Sequence, residues 1–157
     1  MNQHLGILRI FVFLDMPNVR LLAIEDDPLH AEVLRMAIKD TGFILIDVVD
    51  DIADFKRLIV ATQPDCLLID IQLGAEIDGI ELAKEVSDHH QIPFVFVTSM
   101  QDADTARKAI ETLPAAYVTK PINAASLIAA IDIAENNQML SAKQTNNNHF
   151  FIKTAEG

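Results

Sequence analysis

Apolar and polar positions follow each other along most of the chain as short apolar runs and longer amphipathic segments. The apolar runs read as strands, and apolar residues at helical spacing follow each of them. The predicted strands cover residues 20–24, 43–49, 66–69, 93–97 and 115–119. Five strands and five helices in strict alternation predict an α/β fold, a parallel sheet with helices on both faces. Wholly apolar strands support burial on both faces of that sheet.

Polar residues stand where four of the predicted strands end. Strand one ends in three acids, strand three in one acid, strand four in two hydroxyl residues and strand five in a lysine. In order, these residues are Glu25, Asp26, Asp27, Asp70, Thr98, Ser99 and Lys120. Ligands of open α/β sheets bind beyond the carboxyl ends of the strands, so we expect these residues to meet at one edge. The alternative for each of them alone is a solvated strand end.

The chemistry of this set suits a cation and a phosphoryl group. Carboxylates in one cleft raise one another's pKa unless a cation intervenes, and Mg²⁺ prefers oxygen ligands. A carboxylate can attack phosphorus to give an aspartyl-phosphate. Lys120 is suited to neutralise one phosphoryl oxygen, and the hydroxyl of Thr98 is suited to donate to another.

Composition and charge narrow the possible partners. The chain has 157 residues, a length for one domain, and a formal net charge of −11. Residues 19–135 hold 9 basic and 21 acidic residues, a net charge of −12. This acidity argues against binding of nucleic acid or of an anionic membrane by this segment. The single Cys66 excludes an internal disulfide and favours a reducing compartment, so we expect a cytoplasmic protein.

Four sequence runs carry a resemblance to a known family. The runs LLAIEDDP, CLLI followed by Asp70, FVFVTS and AYVTKP resemble the receiver domain of two-component response regulators, over residues 19–135. The spacings also suit that family, with 44 residues from Asp26 to Asp70 and 22 from Thr98 to Lys120. The resemblance implies a flavodoxin-like, doubly wound sheet of five parallel strands in the order 2-1-3-4-5, with five helices.

The resemblance implies a phosphoacceptor and a magnesium site. Asp70 would accept the phosphoryl group, and Asp26 would bind Mg²⁺ directly while Glu25 binds it through water. Gln72 would offer its backbone carbonyl to the metal. Asp27 is expected to be a neighbour of this site rather than a ligand.

The resemblance also implies a switch. Thr98 would be the switch hydroxyl, Ser99 its small neighbour and Lys120 the ion partner, whose bond to Pro121 is usually cis in this family. Tyr117 matches the aromatic position that turns inward when phosphate recruits Thr98. The implied partner is a histidine kinase or a phosphotransfer protein. A homodimer through helix four, strand five and helix five is expected, and the chain would act as a phosphoacceptor, with self-catalysed phosphorylation and dephosphorylation, rather than as an enzyme.

Three other functions compete with this interpretation. A haloacid-dehalogenase-like, Mg²⁺-dependent phosphatase requires a D-x-D-x-T pattern after strand one, where this chain has EDDPL. A flavodoxin-like flavin binder requires a phosphate loop at the same place, where three acids would repel the phosphate. A receiver used only for docking, without phosphorylation, would not need the complete set of acids, Thr98 and Lys120.

Several segments fall outside the family pattern. Many receivers have Met-Pro after the phosphoacceptor strand, but this chain has Leu73-Gly74 and a loop one residue longer, which leaves the path of residues 74–77 open. His30, in the first turn of helix one, is expected to be solvated, with a role in the site as the alternative. Residues 1–18 are an N-terminal extension, and residues 1–15 either precede a natural start at Met16 or dock on the domain.

The C-terminal segment, residues 136–157, reads as a polar linker followed by the start of a strand. The run NHFFIKTAEG resembles the opening of a LytTR-type DNA-binding domain. We therefore expect the chain to belong to a longer transcriptional regulator. The alternative is a stand-alone receiver with a disordered tail.

Overall fold

The main sheet has five parallel strands, each at a predicted place. The computed structural model describes residues 18–74, 77–99 and 102–154, with only the backbone for residue 77 and for residues 143–154. In chain order the seven strands are β1 (Arg20–Ile24), β2 (Ile44–Val49), β3 (Cys66–Ile69), β4 (Gln72–Leu73), β5 (Ile77–Asp78), β6 (Phe94–Thr98) and β7 (Ala116–Thr119). The main sheet has the order β2-β1-β3-β6-β7. This confirms the predicted order, because β4 and β5 form a separate hairpin.

Five helices follow the strands of the main sheet. They are α1 (Pro28–Lys39), α2 (Ile52–Thr62), α3 (Gly79–His90), α4 (Ala103–Glu111) and α5 (Ala124–Thr154). A side-chain oxygen accepts hydrogen bonds from free N–H groups at the start of each helix, which is the ordinary N-cap arrangement. The capping residues are Asp27, Asp51, Asp78, Asp102 and Asn123.

The two faces of the sheet bury separate apolar clusters. One cluster joins α1 and α5 to the sheet, with Leu34 and Ile131 among its buried residues. The other joins α2, α3 and α4 to the opposite face, around Phe55 and Phe96. The apolar strands thus contact helices on both sides, as their composition predicts.

The stretch after β3, whose path the sequence left open, folds as a small hairpin. Strands β4 and β5 pair antiparallel, with Gln72 opposite Asp78. Gly74 in the connection has a φ of 71°, a conformation in which glycine carries no steric cost. A Cβ at Gly79 would lie 2.0 Å from the carbonyl oxygen of Asp70, so α3 begins tightly against the backbone of the candidate phosphoacceptor.

Helix α5 continues beyond the point where a linker was predicted. The expectation of a strand at residues 149–153 is wrong for this structure, in which the helical backbone runs to Thr154. The physical reason is that no Gly or Pro stands between residues 124 and 154, so nothing in the sequence ends the helix. The division into domains at residues 18 and 135 stays a prediction. The predictions for residues 1–17 and 155–157 lie outside the described residues.

Over the described part of the chain, no helix combines the length and the apolar composition needed to cross a membrane.

Candidate functional site

The sheet brings the predicted acids and the lysine to one edge. Residues Ile24 and Ile69 are register partners at the ends of β1 and β3, and the N–H of Asp70 donates to the carbonyl of Ile24 at 3.2 Å. Glu25 and Asp70 therefore leave adjacent strands side by side. Lys120 follows β7, and its side chain extends across the sheet edge to meet both of them.

Lys120 is the centre of a buried charged cluster. Its Nζ donates to Oε2 of Glu25 at 2.5 Å and to Oδ2 of Asp70 at 2.7 Å. The side chains of Lys120, Glu25 and Asp70 are only 6%, 4% and 5% exposed. Charges so far from water are tolerated only when they are paired, so each member of this cluster holds the others in place.

Burial and pairing act in opposite directions on the protonation of this cluster. Burial raises the pKa of Glu25, and the hydrogen bond from Lys120 opposes that rise. Burial alone would lower the pKa of Lys120, but its hydrogen bonds to Asp70 and Glu25 outweigh burial and raise that pKa above the ordinary value. Lys120 is therefore protonated at neutral pH and acts as a fixed positive charge.

His30 also belongs to this cluster, although the sequence analysis favoured a solvated position for it. Its Nδ1 lies 3.1 Å from Nζ of Lys120 and 3.9 Å from Oε1 of Glu25. An ammonium group only donates hydrogen bonds, so in this contact Nδ1 is placed to accept one from Lys120. The position of His30 in the sequence indicates that it lies near the site, because it falls in the first turn of α1, four residues after Asp26.

Three carboxylates are placed where a cation could bind. One oxygen each from Glu25, Asp26 and Asp70 lies within 4.8 Å of the others. Asp26 is exposed, while the other two are buried, so the cluster has an open side. Together with Lys120 these groups carry a net charge of −2, which a divalent cation would balance. Hard oxygen ligands with one open side fit Mg²⁺, which keeps some of its water.

Backbone groups fix the neighbouring carboxylates. The N–H of Gln72 donates to Oδ1 of Asp70 at 3.1 Å, so both oxygens of that carboxylate are hydrogen-bonded. The role of the Gln72 carbonyl as a metal ligand stays a prediction. Asp27 accepts from the N–H groups of Leu29 and His30, and thus caps α1.

The predicted switch residues lie on β6 and β7. Thr98 is buried at the end of β6, and its carbonyl accepts from the N–H of Lys120 at 3.0 Å. The ring of Tyr117 lies 5.5 Å, centroid to centroid, from that of Phe96, its register partner. Tyr117 is about one-third exposed, and partial burial raises the pKa of its hydroxyl. The neighbouring Ser99 is exposed.

The chain matches a known family over most of its length. The family model described as the response regulator receiver domain matches residues 21–132. Among curated proteins, the transcriptional regulatory protein CseB of Streptomyces coelicolor is 28% identical over 114 residues, which are 73% of this chain and 48% of CseB. The transcriptional regulatory protein PdtaR of Mycobacterium tuberculosis is 27% identical over 115 residues, which are 73% of this chain and 56% of PdtaR. This chain thus spans about half the length of these curated relatives.

Solved structures have the same fold. The signal receiver domain of a modulated diguanylate cyclase from Desulfovibrio desulfuricans G20 has a TM-score of 0.72 and is 31% identical; the alignment covers 78% of this chain and 97% of that one. NtrX from Brucella abortus has a TM-score of 0.74 at 22% identity, and the alignment covers 82% of this chain and 30% of NtrX. At that identity, the likeness to NtrX shows the fold alone.

Proposed function

Because the chain belongs to the family of response regulator receiver domains, we propose that Asp70 is the residue that accepts a phosphoryl group. The family match gives no support to the haloacid-dehalogenase alternative. The observation that carries the proposal is the cluster of Lys120 with two buried carboxylates, beside a third carboxylate that is open to solvent.

In this proposal, Asp70, Lys120 and Gln72 have separate roles in phosphoryl transfer. A carboxylate oxygen of Asp70 attacks phosphorus, the bond from phosphorus to the donor breaks, and its electron pair leaves with the donor. Lys120, already 2.7 Å from Asp70, offsets the charge of the phosphoryl oxygens. The N–H of Gln72 orients the attacking carboxylate through its hydrogen bond to Oδ1.

The acids fit a magnesium site next to the phosphoacceptor. In this proposal Asp26 and Asp70 would hold the ion directly and Glu25 would hold it through water. The Gln72 carbonyl would supply a further ligand. When bound, Mg²⁺ would neutralise negative charge on the phosphoryl oxygens and position them for transfer. The distances among the three carboxylates support this assignment, because one ion can span all of them.

The test is mass spectrometry of the intact chain after incubation with acetyl phosphate and Mg²⁺. We expect one phosphoryl adduct on the wild type, none on Asp70→Asn, and none on either protein when a chelator removes the metal. The matched control is Asp104→Asn, an exposed acid in the first turn of α4, which should be phosphorylated like the wild type. An adduct that survives Asp70→Asn would exclude Asp70 as the acceptor.

The proposed switch connects the new charge to a surface. A phosphoryl group on Asp70 recruits the hydroxyl of Thr98, and the ring of Tyr117 turns inward as that hydroxyl moves. The surface that changes is formed by α4, β7 and α5, where Ile110, Tyr117 and Ile133 expose apolar area. In this proposal phosphorylation drives homodimer formation through that surface.

Sedimentation velocity tests the dimer. We expect acetyl phosphate and Mg²⁺ to shift the wild type from monomer to dimer and to leave Asp70→Asn unchanged. A dimer of equal abundance in both proteins would contradict phosphorylation as its cause.

The partners and the output follow from the family. We propose a histidine kinase or a phosphotransfer protein as the donor, in the cytoplasm, where the single Cys66 remains reduced. The curated relatives carry the description of transcriptional regulatory proteins, and we propose transcriptional regulation for the whole protein. The acidic residues 19–135 would act as the switch in that regulation rather than as the nucleic-acid contact.

A further inference from the structure

The edge of the sheet opposite the phosphoacceptor carries an open groove. Two adjoining cavities of about 580 and 310 Å³ lie at the amino-terminal ends of the strands. Ile92, just before β6, lines both of them. We call the two cavities together the amino-edge groove. The first extends to Leu113 and to Gln138 of α5, and the second to Val60 of α2.

Three helices end at this groove with a residue in the left-handed conformation. Gln63 follows α2, Gln91 follows α3 and Leu113 follows the cap of α4, with φ values of 48°, 53° and 55°. Glycine and asparagine are the residues that usually adopt this conformation at a helix end. A leucine at position 113 therefore has a conformational free-energy cost, and its side chain is also 84% exposed.

The described residues leave an apolar rim without a cover. Leu113 lines one cavity of the amino-edge groove and Val60 lines the other, and both expose most of their side chains. An exposed apolar rim on a concave surface is typical of a site that binds another chain segment.

The sequence carries an apolar segment shortly before β1. Residues 5–14 read LGILRIFVFL and precede β1 by only a few residues. The carbonyl of Arg20 at the start of β1 accepts from Asp65, just before β3, and the carbonyl of Pro93, before β6, accepts from Leu67. The three strands thus begin at the same edge, and two strand spacings separate β1 from β6 by about 10 Å. Four extended residues span about 13 Å, so the segment can reach the groove directly.

Residues 5–14 and the amino-terminal edge of the sheet also carry opposite charges. Arg9 is the single charged residue within the apolar run. Burial raises the pKa of Glu135, and repulsion from Asp132 and Asp65 raises it further. An arginine brought to this edge would relieve that repulsion.

We propose that residues 5–14 of this chain bind in the amino-edge groove, with Leu113 and Ile92 as their apolar contacts. Leu113 holds its costly backbone conformation because its side chain covers the bound segment. The occupant belongs to the same molecule, so binding does not depend on protein concentration.

Hydrogen exchange of the full chain tests the proposal. We expect the amides of residues 5–14 to exchange about tenfold or more slowly than in an unstructured peptide. Leu113→Asn removes the apolar contact while keeping a residue that accepts the left-handed conformation, so the domain stays folded and this protection falls. The matched control is Met36→Asn, on α1 and 66% exposed but outside the groove, which should keep it. Phe13→Asp, a change in the segment alone, should raise exchange at the amides of Ile92 and Phe94.

Three results would overturn the proposal. The first is exchange of residues 5–14 at the rate of an unstructured peptide in the wild type. The second is an equal loss of protection in Leu113→Asn and Met36→Asn. The third is protection that rises with protein concentration, because it would assign the groove to a second copy of the chain.

Discussion

Removal of the Lys120 ammonium group tests how far the buried charges of Glu25 and Asp70 depend on it. Lys120→Met keeps most of the apolar stem and deletes the group that lies 2.5 Å from Glu25 and 2.7 Å from Asp70. Two carboxylates would then face each other in a site that is only about 5% exposed. Loss of one partner from a buried ion pair costs about 3–5 kcal/mol. With an m-value of about 2 kcal/mol per molar urea, the unfolding midpoint should fall by about 2 M.

The cost of this variant should depend on pH. Burial already raises the pKa of Glu25 above 4.5, and the loss of the hydrogen bond from Lys120 removes the largest effect that opposes this rise. A carboxyl whose pKa is higher in the folded than in the unfolded protein contributes most at low pH, and that contribution is lost as pH rises through the folded pKa. The deficit of Lys120→Met should therefore be smaller at pH 5 than at pH 7.5.

Urea unfolding at these two pH values, with and without Mg²⁺, is the assay. Mg²⁺ at a hundred times its dissociation constant should restore about 2.7 kcal/mol, because it binds only the folded chain. The matched control is Lys56→Met, which breaks a 2.7 Å pair with Glu85 on the half-exposed surface and should cost less than about 1 kcal/mol. A loss below about 1 kcal/mol for Lys120→Met at pH 7.5, or a deficit that grows as pH falls, would refute this account of the site.

Three further changes test the fold around the site. Gly79→Ala should cost about 1–3 kcal/mol in urea unfolding because its Cβ would meet a backbone oxygen at 2.0 Å, whereas Gly42→Ala meets nothing within 4 Å and should change little. Asp102→Ala removes the side-chain cap of α4 and should cost about 0.5–2 kcal/mol; an unchanged melting temperature would exclude that cap as a stabiliser. Burial raises the pKa of Cys66 to about 12, so a thiol reagent should modify it only as fast as the protein unfolds, and faster labelling would contradict this burial.

Local patterns in the sequence predicted most of the fold. The apolar runs located all five strands of the main sheet, because a strand buried on both faces has little room for polar residues. The helices between these strands were predicted from the helical spacing of their apolar residues, which is also a local pattern.

Features that depend on distant contacts were not predictable from the sequence. The contact between His30 and Lys120 joins residues 90 positions apart, and it depends on how α1 packs over the sheet edge. The hairpin of β4 and β5 replaces a loop whose sequence departs from the family pattern. The length of α5 was underestimated because polar composition suggested a linker, although asparagine and glutamine only weaken a helix and do not end it.

The length of α5 has a mechanical consequence. Its 31 residues extend about 46 Å at 1.5 Å per residue. The described side chains of this helix end at residue 142, and the buried ones among them, which anchor it to the sheet, are Leu127, Ala130, Ile131 and Ala134. The helix begins four residues after Lys120, so its anchored end adjoins the charged cluster. If α5 rotates as a rigid helix about that end by about 5°, Thr154 moves by about 4 Å.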